Sequence, residues 1–151
     1  MSPRLDYRKA APEGVALVGA LSAYNARNVD PKLRALVEVR TSQINGCAFC
    51  LDMHSQQARH AGEDQQRLDV LSAWRETNFF TDKEQAALAW VEAVTLLGPH
   101  GVADDVYDAL KAHFTEKEIV DLTLVIATMN VWNRISIGFH ATSPRRHAAA
   151  S

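Results

Sequence analysis

Two cysteines and a histidine, Cys47, Cys50 and His54, stand at positions i, i+3 and i+7. On an α-helix these positions fall within an arc of roughly 60°, so all three side chains share one face. Leu51, Ala58 and Ala61 share that broad face, whereas Asp52 points away from it. Asn45-Gly46 comes just before, and both residue types tolerate left-handed backbone, so a helix is expected to begin near Cys47. The free N–H groups and positive dipole end of a helix start favour a thiolate. A Cys-x-x-Cys pair placed there commonly has one unusually acidic thiol. Helical neighbours at i and i+3 have Cβ atoms about 5–6 Å apart, close to disulfide range. The pair can therefore alternate between dithiol and disulfide. Histidine is the side chain suited to proton transfer near neutrality, and His54 lies one turn beyond Cys50.

Other chemistries compete for the same residues. A structural zinc site wants four ligands, and the nearest further candidate, His60, falls on a different face. Covalent haem attachment needs histidine directly after the second cysteine, where this chain has Leu51. A thioredoxin-like site would follow a strand, and no strand pattern is visible. Two buried, inert cysteines remain the plain structural alternative.

The elements that must position these residues read as helices throughout. A first helix is expected over about 12–26, and Asp30-Pro31 opens a second that runs to about Ile44. The cysteine helix should end at Ala61-Gly62, with a short helix over about 64–75 after it. Thr81-Asp-Lys-Glu84 and Thr115-Glu-Lys-Glu118 are capping boxes for helices to about Leu97 and Phe139, with a shorter helix over 103–114 between them. In the last helix Ile119, Leu122, Ile126, Met129 and Ile137 form one apolar stripe, and Asn130 and Asn133 lie on it. Two amides on such a stripe either tie down a neighbouring helix or line a pocket and hold a catalytic group. The expected fold is all-α, one bundle of six or seven helices. An N-terminal arm over 1–11, a helical domain over 12–141 and a flexible tail over 142–151 complete the organisation.

Bulk composition limits the function classes. With 151 residues, 47% apolar and 23% charged, the chain suits one globular domain with a full core. A net charge of −2 with no basic block gives nucleic-acid binding no support. No apolar run approaches the roughly 18 residues of a membrane span, and no signal-peptide pattern opens the chain, so a cytoplasmic protein without a membrane partner is expected. Two cysteines this close cannot staple a secreted fold, which turns attention to redox chemistry.

The run Ser42-x-x-Asn45-Gly46-Cys47-x-x-Cys50-x-x-x-His54 resembles the signature of AhpD-like alkylhydroperoxidases in the carboxymuconolactone decarboxylase superfamily. The flanking Arg40-Thr-Ser-Gln-Ile-Asn-Gly-Cys47, Leu51-Asp-Met-His54 and Asn130-Val-Trp-Asn-Arg134 are similar to a peroxidase-related subgroup. The resemblance implies an all-α fold that assembles as a homo-oligomer, a dimer, trimer or hexamer. It implies an enzyme that reduces organic hydroperoxides, with no metal, flavin or haem cofactor. By match to the motif, Cys50 would attack the peroxide, Cys47 would resolve the sulfenic acid to a disulfide, and His54 would belong to a proton relay. A dithiol, such as a lipoyl group, would restore the thiols.

The chain departs from the founding pattern twice. Ala35 stands where that pattern has a relay glutamate, and Phe49 stands where it has a histidine between the cysteines. Ala35, Glu38 and Ser42 share a helix face, which makes Glu38 the candidate relay acid; an exposed helix carboxylate is the bland alternative. Ser42, Asn130 and Asn133 are candidates for pocket or support. Two other functions stay open: a decarboxylase of a lactone acid, with Arg40 or Arg134 binding the carboxylate, and a non-catalytic, redox-responsive helical oligomer.

Overall fold

A computed structural model describes residues 2–145. Among them are eight α-helices: α1 Tyr7–Ala10, α2 Pro12–Asn28, α3 Pro31–Asn45, α4 Ala48–His60, α5 Gln65–Val70, α6 Asp82–Thr95, α7 Asp104–Lys111 and α8 Glu116–Gly138. The all-α class is as expected, with one helix more than the six or seven read from the sequence. The addition is α1, a single turn inside the arm, whose cap Asp6 accepts from the backbone N–H of Arg8 and Lys9. One turn of helix leaves no apolar period to read. The short helix expected over 64–75 changes at Leu71 into a 3₁₀ segment, Leu71–Glu76, with Ala73 outside helical angles. Of the tail over 142–151, residues 146–151 lie outside the described part.

Local chemistry sets the helix boundaries. Asp30 caps α3, with Pro31 at its first position, and both capping boxes form, Thr81 with Glu84 and Thr115 with Glu118. Gly46 ends α3 in left-handed backbone at φ 68°, a conformation that suits glycine.

The contacts fix the directions of the helices. Asp30, at the start of α3, and Glu118 and Asp121, at the start of α8, line one hollow, while Asn45 at the end of α3 meets Asn133 of α8. α3 and α8 therefore run parallel. α6 runs with them, because Glu84 lines the same hollow and Thr95 meets Asn130. α2 runs against α8: Tyr24 reaches Asp121 while Ser22 reaches Trp132. The innermost helix is α3. It gives Val37 to one buried cluster with Val91, Leu110, Leu122 and Ile126, and Leu36 and Val39 to another with Ala58, Leu71 and Leu88.

The stripe on α8 is buried at Ile119, Leu122, Ile126 and Met129, but Ile137 is 44% exposed. It keeps the right angle on the helix. Its parallel neighbour α3 stops at Asn45, so the last turn of α8 outruns it.

Amides join these parallel helices at one end. Asn45 Nδ2 donates to Asn130 Oδ1 at 3.0 Å and Asn133 Oδ1 at 2.9 Å. Asn133 Nδ2 donates to Ser42 Oγ at 3.1 Å, and the Ser42 hydroxyl donates to Glu38 O at 2.8 Å. Asn130 Nδ2 donates to Ile126 O and Thr95 Oγ1. The other polar knot is Glu92, which accepts from Arg40, Trp74 Nε1 and Arg75 and so joins α3, the 3₁₀ segment and α6. Burial pushes its pKa up, but the bonds from Arg75, Trp74 and Arg40 together outweigh burial and hold it below the ordinary carboxylate value.

Replacing Asn133 by Ala orphans donors and acceptors in a fully buried place, so stability in urea denaturation should fall by about 2–3 kcal/mol. A change under about 0.5 kcal/mol would mean that the network is not structural. Glu92→Gln should cost about 2 kcal/mol at neutral pH. Glu92 ionises more readily folded than unfolded, so its contribution is present above the unfolded value of 4.5 and is lost as pH falls through the lower folded one. Melting curves of the wild type and Glu92→Gln should accordingly converge in acid.

Candidate active site

Cys47 and Cys50 form a disulfide at the start of α4, with Cα atoms 5.4 Å apart. Cys47 is the N-cap of the helix, and its Sγ accepts from Cys50 N–H at 3.3 Å. Its own N–H donates to Ser42 O at 3.1 Å, which ties the sulfur to the amide network below it. Both cysteines are 1% exposed and pack with Met129, Phe49 and Trp132.

Cys50 lines a cavity of about 260 Å³ whose wall also includes Arg34, Glu38, Phe49, His54 and Trp132. His54 Nδ1 lies 3.2 Å from Glu38 Oε2, in a pair whose side chains are 9% and 13% exposed. On the other side of the carboxylate, Arg34 Nη1 is 3.5 Å from Oε1. A larger hollow of about 350 Å³, lined by Asp30, Lys83, Glu118 and Asp121, sits at the opposite end of α3. It contains no sulfur and no imidazole, whereas the smaller cavity is lined by both.

Hydrogen bonding also singles this cavity out. Three buried side-chain atoms among the described residues have no hydrogen-bond partner: Asn25 Oδ1, Arg34 Nε and His54 Nδ1. The imidazole and carboxylate are near each other but not aligned for a bond. All three atoms belong to residues that line the Cys50 cavity. Buried polar atoms are nearly always satisfied, so three unsatisfied ones on residues around one space set it apart from the rest of the fold.

Four of the candidates from the sequence, Cys47, Cys50, His54 and Glu38, meet here. Glu38 lies beside His54 with its side chain only 13% exposed, which replaces the reading of an exposed helix carboxylate. Ser42, Asn130 and Asn133 do not line the cavity; Asn130 and Asn133 hold Asn45, two residues before Cys47, and Ser42 accepts from Asn133. Arg40 is bound to Glu92 and Gln43, and Arg134 to Asn130; neither reaches the cavity. His60 is exposed on α4, with Nδ1 2.9 Å from Gln56 O. Phe49 contributes a ring to the cavity wall.

Sequence reasoning missed Arg34, Asn25 and Arg8. Arg34 could have been found from its i,i+4 spacing to Glu38. Asn25 and Arg8 come from α2 and the arm, and no local pattern ties either to the cysteine helix.

No helix among the described residues is long and apolar enough to cross a membrane. Comparison with known proteins gives the family. Residues 11–93 match the model of the carboxymuconolactone decarboxylase family. YdfG of Bacillus subtilis (strain 168) is 42% identical over 138 residues, covering 91% of this chain and 94% of that protein. A solved Agrobacterium tumefaciens protein of unknown function, provisionally described as the antioxidant defence protein AhpD, superposes with a TM-score of 0.92 at 41% identity, over 96% of this chain and 100% of that one. A peroxidase-related protein from Ralstonia eutropha JMP134, with an AhpD core, superposes with a TM-score of 0.79 over 91% of this chain and 74% of that one; at 18% identity it shows the fold alone. With the thiol pair, the helical bundle and these relatives together, the chain belongs to the carboxymuconolactone decarboxylase family, as an AhpD-like member.

Proposed function

We propose that this protein is a thiol peroxidase that reduces organic hydroperoxides, with Cys50 as the nucleophile. The observation that carries the reading is the placement of Cys50, one sulfur of a redox-capable pair, on a cavity that also holds the His54–Glu38 pair. The relationship to AhpD-like proteins supports it.

The cycle follows from the chemistry of the groups. The Cys50 thiolate attacks one peroxide oxygen, the O–O bond breaks, and the sulfur becomes a sulfenic acid. The leaving alkoxide takes a proton through His54 and departs as an alcohol. Glu38 orients the imidazole and stabilises it when it is charged. The Cys47 thiolate then attacks the sulfenic sulfur, water leaves, and the disulfide seen here is the product. A dithiol donates two electrons and two protons, restores both thiols and leaves as its own disulfide.

The two arginines proposed from the sequence as anchors for a decarboxylase substrate, Arg40 and Arg134, are bound elsewhere. A disulfide that only toggles assembly would not need a histidine and a carboxylate on a shared cavity.

Reduced protein should consume cumene hydroperoxide with dihydrolipoamide as the electron donor. Cys50→Ser should abolish turnover while circular dichroism stays helical. Cys47→Ser should accumulate a sulfenic acid that dimedone traps. Wild-type turnover in both serine variants would exclude the mechanism. Glu38→Gln should slow the peroxide step about a hundredfold if the carboxylate serves the relay, and an unchanged rate would remove it from that role.

A further inference from the structure

We infer that the Cys50 cavity selects substrates with an anionic head, held by Arg8 and Arg34, and an apolar body. The reaction such a substrate undergoes rests on the peroxidase reading above; its binding does not.

Charge is the first observation. Among the residues that line the cavity are two guanidinium groups, Arg8 and Arg34, and one carboxylate, Glu38. Glu38 already faces His54 and Arg34. Arg8 has no carboxylate partner among the described residues: the nearby Asp6 pairs with Lys9 and gives Arg8 only a backbone bond. The cavity thus keeps an excess of positive charge, carried by Arg8, an exposed residue of its lining.

Orientation is the second. The Arg8 guanidinium lies 5.4 Å from the centre of the Tyr7 ring and 5.9 Å from that of Trp132. Such stacking orders the cation while leaving its N–H edge free for an acceptor. The Trp132 ring is itself fixed, because Nε1 donates to Ser22 Oγ at 2.9 Å. The arm is fixed too: Tyr7 stacks on Phe139 at 6.1 Å, and Arg4 donates to Phe139 O and Gly138 O. Arg8 therefore belongs to the wall of the cavity.

The unsatisfied donor is the third. Arg34 Nε is buried and without a partner, on a residue that lines the same space. A carboxylate can accept from more than one donor, which suits a site with a second guanidinium nearby. The rest of the wall includes Phe49, Met53 and Met129, which match an alkyl or aryl body.

A matched pair of ligands tests this. By calorimetry with the oxidised, full-length protein, 4-isopropylbenzoate should bind at least about tenfold more tightly than neutral 4-isopropylbenzamide. That preference should vanish in Arg8→Gln, survive in part in Arg8→Lys, and shrink as salt is raised. Equal affinities in the wild type, or a preference unchanged in Arg8→Gln, would overturn the anionic site even if peroxides are turned over. In turnover, cumene hydroperoxide with a para-carboxylate should exceed its methyl ester in kcat/KM, and the ratio should fall about tenfold in Arg8→Gln. Selective benzoate binding without any peroxide consumption would sustain the site and overturn the peroxidase reading alone.

Discussion

The site depends on where α4 begins, and one side chain sets that place. The Asn45 amide is held between Asn130 and Asn133 of α8, so the end of α3 is pinned against a helix parallel to it. The next residue, Gly46, turns the chain in left-handed backbone, and the one after it is the sulfur that caps α4. A loose end of α3 would let the turn slide, and with it every sulfur–cavity distance. Parallel helices gain nothing from a short connecting hairpin, so their relative register must come from side chains. Buried amides supply it with direction as well as energy, which apolar packing alone does not.

Polar groups in this fold divide into two kinds. Glu92 meets three donors, and Glu84 is likewise held below its ordinary pKa: burial opposes ionisation, but bonds from Arg67 and Thr81 outweigh it. Asp121 is met by Lys117 and Tyr24. These carboxylates are saturated, and they hold helices together. Around Cys50 the pattern reverses. The carboxylate and the imidazole approach without aligning, and an amide oxygen and a guanidinium nitrogen have no partner. Elsewhere the fold satisfies its carboxylates, whereas these unsatisfied atoms gather on residues around one space. That contrast, more than cavity size, is what separates the site from the larger hollow at the opposite end.

Much of this was legible in the sequence, for reasons that are local. Capping boxes, the Asp30-Pro31 start and the Asn45-Gly46 break are short-range signals, and the structure uses each of them. The shared face of Cys47, Cys50 and His54 needs only helical geometry. Glu38 could be proposed from its place relative to Ser42, although its contact with His54 spans two helices. What stayed hidden is contact between segments far apart in the chain. Asn130 and Asn133 were recognisable as buried amides, but their partner Asn45 looked only like a turn residue. Ile137 had the right period and the wrong neighbours, because periodicity does not say where the adjacent helix stops. The docking of the arm on Phe139, which brings Arg8 to the cavity, left no mark in either period or spacing.

The burial of the sulfurs sets a demand that the helix start cannot meet by itself. Ionisation of the reduced thiol puts negative charge on an atom in a residue only 1% exposed. The positive end of a helix stabilises such a charge by about 0.3–1 kcal/mol at the surface and up to about 2 when partly buried. Removing an ion from water costs several kcal/mol even after the protein relaxes. For Cys50 to serve as a nucleophile, the remainder must come from charges and donors in the cavity wall, and Arg34 and His54 are among the groups placed there. The same guanidinium would then support the thiolate and attract an anionic substrate toward it. Substrate selection and sulfur activation would be two consequences of one local excess of positive charge, so a substitution that neutralises Arg34 cannot alter one without the other. Arg8, which faces the ring of Trp132 and comes from the arm, is the second guanidinium of that wall and the one with no carboxylate partner among the described residues.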